Sequence, residues 1–292
     1  MADIVPPRRI FQPAREEAES ANQPTPAPQT AHPAYRLAFQ DLDFLLREDL
    51  RPVRFQLELL KPELLLDEAR IASTFVFYGS ARIPEPDKAD AIVAAAATDN
   101  QRRIAERLKA KAHYYDEARA LARLASRVGR DSEGCRHFVV CSGGGPSIME
   151  AANRGAADEG QESIGLNIVL PHEQLPNQWV TPSLSFQFHY FALRKMHFLL
   201  RARAVAVFPG GYGTFDEAFE LLTLVQTGKV KPMPILFFGR DYWERVVNFP
   251  ALVEEGVISE RDLDLFTYVE TADEAWAHIC AAYAEGGGVP DC

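Results

Sequence analysis

Glu217 closes the stretch PGGYGTFDE, residues 209–217, where Pro209, Gly210, Gly211, Tyr212, Gly213 and Thr214 lead from an apolar run into a helical pattern. Glycines there let backbone N–H groups approach a ligand with no Cβ in the way. The amino end of the next helix adds partial positive charge, which suits a phosphate. A carboxylate placed over such a cradle could act as a base or stabilise a developing cation. The structural reading of the same residues is a capping box, with Thr214 capping an orphan N–H and Glu217 folding back onto the cap residue. Local sequence leaves both readings open.

Two more apolar runs end in glycine: STFVFYGSAR reaches Gly79-Ser80, and FVVCSGGG reaches Ser142-Gly143-Gly144-Gly145. Ligands bind beyond the carboxyl ends of strands in open parallel sheets, so the three loops are expected to converge on one cleft. GGGPSI (143–148) fails the dinucleotide pattern GxGxxG at its last position, and the expected downstream acidic residue is not evident. No Gly-Lys-Ser/Thr follows any glycine run, which excludes a P-loop. A nucleoside monophosphate or another small phosphoester fits better than a dinucleotide or a triphosphate. Arg194-Lys195 stands before a helical stretch, where such a pair is commonly a solvated face. His172, His189 and His197 are scattered singly and read as surface or packing residues. Phe186, Phe188, Tyr190 and Phe191 read as core.

The elements that must position these loops alternate along the chain. Strand patterns fall at 73–82, 138–145, 163–170, 184–191 (a strand or an extended loop), 204–211, 233–239 and 263–270, with helical patterns between them and a closing helix from 272. Near-continuous apolar strands between helices predict an α/β fold: a Rossmann-like, doubly wound parallel sheet with helices on both faces. Residues 1–34 hold seven prolines and little to bury, which predicts a disordered or extended tail. Residues 35–72 are Leu-rich at helical spacing, punctuated by Pro52 and Pro62, and predict an extension of two or three short helices. The catalytic domain is expected over 73–285, with a flexible tail at 286–292.

Composition limits the partners. The 292 residues are 47% hydrophobic and carry a net charge of −10 from 41 acidic and 31 basic residues. That balance argues against a nucleic-acid surface. No apolar stretch approaches the ~18 residues of a membrane helix, and PPRRIFQPAREEAES lacks a signal-peptide core. The cysteines, Cys135, Cys141, Cys280 and Cys292, have no metal-ligand spacing and read as reduced thiols of a cytoplasmic protein. No metal or cofactor is expected. The apolar helices suggest a homodimer or higher homo-oligomer.

PGGYGTFDE matches the PGGxGTxxE motif of the LOG family of cytokinin-activating phosphoribohydrolases, relatives of which carry an older lysine decarboxylase label. Arg194-Lys195 matches that family's Arg-Lys element, and CSGGGPSIMEAANRGA (141–156) resembles its glycine-containing nucleotide loop. The similarity spans about residues 73–240, and the Leu/Pro-rich leader is similar to the longer bacterial branch. The resemblance implies hydrolysis of the N-glycosidic bond of a nucleoside 5′-monophosphate, with AMP or an N6-modified AMP as substrate. It implies Glu217 and Arg194 as catalytic residues. It implies substrate contacts from Gly79, Ser80, Gly143, Gly144, Gly145, Met149, Glu150, Lys195 and the 209–214 loop. Gly79-Ser80-Ala81-Arg82 departs from the family's usual first loop, so Arg82 is expected to bring positive charge near phosphate or base. The long segment 83–115 is a candidate cover for the base pocket. Two other readings compete: a non-catalytic carrier of a nucleotide or phosphorylated cofactor, and a pyridoxal-phosphate decarboxylase using Lys195, for which the sequence offers no cofactor pattern.

Overall fold

Thr74–Tyr78 (β1) is buried along its whole length and divides its side chains between two cores, as the two-residue period of a strand requires. Phe75 and Phe77 enter one core, Val76 and Tyr78 the other. Both faces are therefore covered, which is the signature of a central parallel strand. The other strands are β2 (Val139–Ser142), β3 (Ile164–Ile168), β4 (Ser185–Phe188), β5 (Ala202–Val207), β6 (Ile235–Phe238) and β7 (Thr267–Val269). They form one sheet in the order β4-β3-β2-β1-β5-β6-β7, every pair parallel. The Rossmann-like α/β fold expected from the sequence is thus present in the computed structural model, which describes residues 13–21, 25–171 and 175–284.

The chain divides into two compact units, Met1–Glu58 and Leu59–Cys292. The first holds α1 (Ala14–Ala21), α2 (Pro28–Ala31), α3 (Leu42–Leu45) and the start of α4 (Arg51–Glu68). Within the segment expected to be an extended tail, AREEAESA is helical. Its Ala and Glu residues are good helix formers, and Glu16 and Glu17 complement the amino-terminal dipole. Where short helices broken at Pro62 were expected, α4 continues through that residue. Pro62 removes one backbone donor, and both it and Leu66 are buried. The expected C-terminal tail, residues 286–292, and His172 lie outside the described residues.

In the second unit α5 (Pro86–Ala94), α6 (Asp99–Lys109), α7 (His113–Ser126), α8 (Ile148–Asp158), α9 (Phe191–Leu200), α10 (Tyr212–Gln226), α11 (Arg240–Val246), α12 (Phe249–Glu254) and α13 (Ala272–Ala284) connect the strands. Residues of α7, α8 and α13 pack with Phe75 and Phe77, and residues of α9, α10 and α11 with Val76 and Tyr78. Truncating Phe75 or Phe77, both without exposed surface, is expected to cost about 3–5 kcal/mol. From β1 the chain builds β2, β3 and β4 on one side, then crosses to β5 on the other. The loops after β1 and β5 therefore diverge, and the crevice between them is the natural ligand position of such a sheet. Cys135 and Cys141 are free, Cys141 buried in the sheet. Cys280 takes part in a disulfide, contrary to the expectation of four reduced thiols. Pairing depends on how the fold brings Cβ atoms together, which spacing alone does not reveal.

Candidate active site

Helix α10 begins three residues earlier than the capping-box reading requires. Its cap residue is Gly211, with no side-chain cap, and Phe215 N–H donates to Gly211 O at 3.0 Å. Thr214 is thus the third helical residue and buried, and Glu217 is one turn further in. The capping box does not form. The carboxylate instead turns inward, its side chain only 14% exposed, and meets Arg194 with Nη1 to Oε1 at 3.2 Å.

Arg194 is held from several directions. It lies inside α9, which starts at Phe191 rather than after the Arg-Lys pair. Its Nε donates to the Leu166 carbonyl at 2.6 Å, and its guanidinium lies over the Phe198 ring at 4.9 Å. Gly143 closes the side near Nη2: a Cβ there would come within 2.6 Å of that nitrogen. Gly144, at φ +72°, leaves no room for a Cβ, which would meet Asn167 Oδ1 at 2.4 Å. A guanidinium anchored this way is a fixed electrostatic element.

The pair lines a cleft of about 900 Å³ at the carboxyl ends of β1, β2, β3 and β5. Gly79, Ser80, Gly143, Gly145, Met149, Gly211, Tyr212, Gly213 and Thr214 line it too, so all three glycine loops meet there. Gly211 and Gly213 differ from Gly143 and Gly144: among the described residues, nothing beyond the chain neighbours and the helix's own backbone lies within 4 Å of a Cβ built on either. Packing does not require glycine at those two positions, and the bare backbone there stands open to the cleft. The first amides of α10 lack carbonyl partners within the helix, as at every helix start, and they point their dipole into this end of the cleft.

Burial pushes the Glu217 carboxyl up to about 7; the Arg194 guanidinium pulls it down and Asp216 pushes it further up. A carboxyl titrating near neutral pH in a cleft is suited to proton transfer. Beneath it, burial first and the Glu217 charge second hold the Tyr78 phenol well above its ordinary value.

Several residues expected at the site do not line the cleft. Lys195 points away from it, to Asp216 at 2.9 Å and Glu220 at 2.8 Å. Burial alone would lower its ammonium, but these hydrogen bonds hold it above the ordinary lysine value, unsuited to a Schiff base. Pro209 is buried, and its carbonyl accepts from Ser80 N–H at 3.1 Å. The Gly210 carbonyl accepts from the Tyr242 hydroxyl at 2.5 Å. Gly144 and Glu150 stand behind the lining. No described residue of 83–115 reaches the cleft; α5 and α6 occupy that segment.

Other residues enter the cleft unannounced. Asn167, Ile168, Leu170, Phe215 and Val246 line it, as does Phe191, which was expected in the core and is half exposed. The only signal for Phe191 was its place just before Arg194-Lys195. Arg82 lines the cleft as expected of its charge, with no side-chain partner among the described residues. His197 is buried against the Phe188 ring, as a packing residue would be.

Fold and cleft define an α/β protein with a polar-floored cleft at its topological switch point. Residues 149–279 match the family described as "Possible lysine decarboxylase". A rice protein (Oryza sativa subsp. japonica), the probable cytokinin riboside 5′-monophosphate phosphoribohydrolase LOG4, is 28% identical over 152 residues, half of this chain and 64% of that one. LOG2 of Arabidopsis thaliana, a cytokinin riboside 5′-monophosphate phosphoribohydrolase, is 28% identical over 51% of this chain and 67% of its own. The chain thus spans about two thirds of the length of the curated relatives it matches. Among solved structures, TM1055 is 19% identical with a TM-score of 0.45, over 71% of this chain and 98% of that chain. The chain is similar to the LOG-type family over this region. No helix among the described residues is long and apolar enough to cross a membrane.

Proposed function

We propose that the protein hydrolyses the N-glycosidic bond of a nucleoside 5′-monophosphate, AMP or an N6-modified AMP, releasing the free base and ribose 5-phosphate. The observation that carries the reading is the placement of Glu217: free of any cap, buried, and paired with Arg194 beside the open amino end of α10. The names of the rice and Arabidopsis relatives support it.

In this reading the 5′-phosphate meets the backbone at Gly211, Gly213 and Thr214, with Arg82 supplying charge. The sugar's anomeric carbon then lies by Glu217. As the C1′–N bond breaks, positive charge spreads over C1′ and the ring oxygen, and the ionised carboxylate stabilises it. Water adds its oxygen to C1′; Glu217 takes its proton, and the departing base nitrogen gains one. Arg194 has a guanidinium that stays charged, so it stabilises and orients, keeping part of the Glu217 population ionised near neutral pH. Leu170, Phe191 and Val246 give the base an apolar wall. Exposed Phe191, Met196 and Leu200 on α9 support a homo-oligomer, checked by light scattering.

The test is a product assay for free adenine from AMP with wild type and Glu217→Ala. Base release that Glu217→Ala abolishes is the expected result. Tight nucleotide binding with no base released would favour the carrier reading, and full activity in Glu217→Ala would remove that residue from the mechanism.

A further inference from the structure

The Gly143–Gly145 loop is fastened by a side chain outside every sequence motif. Asn177 Nδ2 donates to the Gly144 carbonyl at 3.1 Å and the Gly145 carbonyl at 2.9 Å, and it lies 3.0 Å from Asn153 Oδ1. Its two hydrogens are shared among these three acceptors. The Asn177 backbone N–H adds a bond to Gly144 O at 2.8 Å. From the strand side, Gly144 N–H donates to Ser142 Oγ at 3.0 Å, and Ser142 Oγ–H donates to Asn153 Oδ1 at 2.7 Å. Asn153 is buried, its own Nδ2 committed to Ser163 Oγ at 3.0 Å and Ile164 O at 3.3 Å.

The fastened loop is the wall of the Arg194 site, since Gly143 closes on Nη2 with no space for a Cβ. Without the Asn177 carboxamide the Gly145 carbonyl loses that donor, and the Gly144 carbonyl keeps only the Asn177 backbone N–H. Carbonyls held less firmly beside the guanidinium are acceptors that compete with Glu217 for Arg194.

We propose that Asn177 is a positioning residue of the site: by holding the Gly144 and Gly145 carbonyls it keeps the loop against Arg194 and leaves the guanidinium to Glu217. Its catalytic consequence rests on the hydrolase reading above, while the clamp itself is a matter of geometry.

The test uses the full chain with AMP as probe and three variants. Asn177→Asp keeps an oxygen able to accept from Trp179 N–H, a bond of 3.1 Å in the wild type, but loses the donor to both carbonyls. Asn177→Ala loses both. Ser163→Ala breaks the same buried network one residue further from the loop and serves as the control for a purely structural role. Expected is a fall in kcat of about 10- to 100-fold in both Asn177 variants, with KM changed less than about threefold. Ser163→Ala keeps kcat within about twofold at a comparable loss of thermal stability. Unchanged kcat in Asn177→Asp, or a fall in Ser163→Ala as large as in Asn177→Asp, overturns the proposal. If wild type releases no adenine, the hydrolase reading fails, and AMP affinity by calorimetry decides the clamp. A loss of about tenfold or more in both Asn177 variants but not in Ser163→Ala then supports it, and equal affinity in wild type and all three variants overturns it.

Discussion

Three ion pairs join α9 to α10 through two neighbouring cations, Arg194 and Lys195. Arg194 meets Glu217 inside the cleft, while Lys195 meets Asp216 and Glu220 on the far side. Stepping one residue along a helix rotates a side chain by about 100°, which moves one pair from the solvated face to a desolvated floor. The inner carboxyl is pushed up to about 7 mainly by burial. The outer pair keeps the ordinary character of a partly exposed bridge, worth at most about 1 kcal/mol. Adjacent residues of similar chemistry therefore have different work, and only the register of the two helices decides which.

The largest effect that would break this contrast is on turnover. Glu217→Gln is expected to lower kcat by about 10²- to 10⁴-fold, and Asp216→Asn to leave it within about threefold, measured as adenine release. Equal losses would mean that both carboxylates act together. Arg194→Ala should lower kcat by about 10²-fold or more, against a few-fold for Lys195→Ala. A large loss in the lysine variant would revive a direct role for that residue. The same inner carboxyl predicts that kcat/KM rises with pH through about 7 and then levels, because the ionised form is the active one.

Stability sharpens the comparison from the other side. The Glu217 carboxyl titrates at about 7 in the fold against 4.5 when unperturbed, so the fold favours its protonated form. That contribution is fully present below about 4.5 and is lost as pH rises through about 7, a change of roughly 3 kcal/mol at most. Glu217→Gln, an isostere of the protonated form, should match wild type at pH 4.5 and be more stable at pH 8 in urea melts. Asp216→Asn should show no such crossover. Among the loops, Gly143→Ala places a Cβ against Arg194 and should lower kcat. Gly213→Ala has open space and should instead raise the KM for AMP about tenfold with the fold intact. The smallest expected effect is in Arg82→Ala, a KM increase of a few-fold for AMP and none for adenosine.

Much of this was legible before any coordinates. Apolar runs ending in glycine identified three of the strands and the convergence of their loops, because a parallel sheet places all its carboxyl ends on one edge. The start of α10 was not legible, because Thr-x-x-Glu fits a cap at Thr214 as well as a helix already under way. Propensity did not show that Tyr212 and Gly213 would already be helical, and with them Glu217 rotates from the helix end to its inner face. Lys195 could not be told from Arg194, since only the packing of α9 on the sheet separates them. Asn177 and Tyr242 were not legible at all. Each fastens a glycine loop from 30 or more residues away, and a lone polar residue in a connecting segment carries no periodic signal.

The crevice at the strand crossover has a consequence for descent. Its floor, Arg194 and Glu217, is bound to the centre of the sheet, where a change disturbs neighbours on every side. Leu170, Phe191, Tyr212 and Val246 reach the same space from its exposed margin and support little else. Lineages can exchange those four at small cost to folding while the floor stays constant. Under the proposed hydrolase reading, preference for one base over another is the trait this architecture leaves free to drift, and the bond broken is the one it holds fixed.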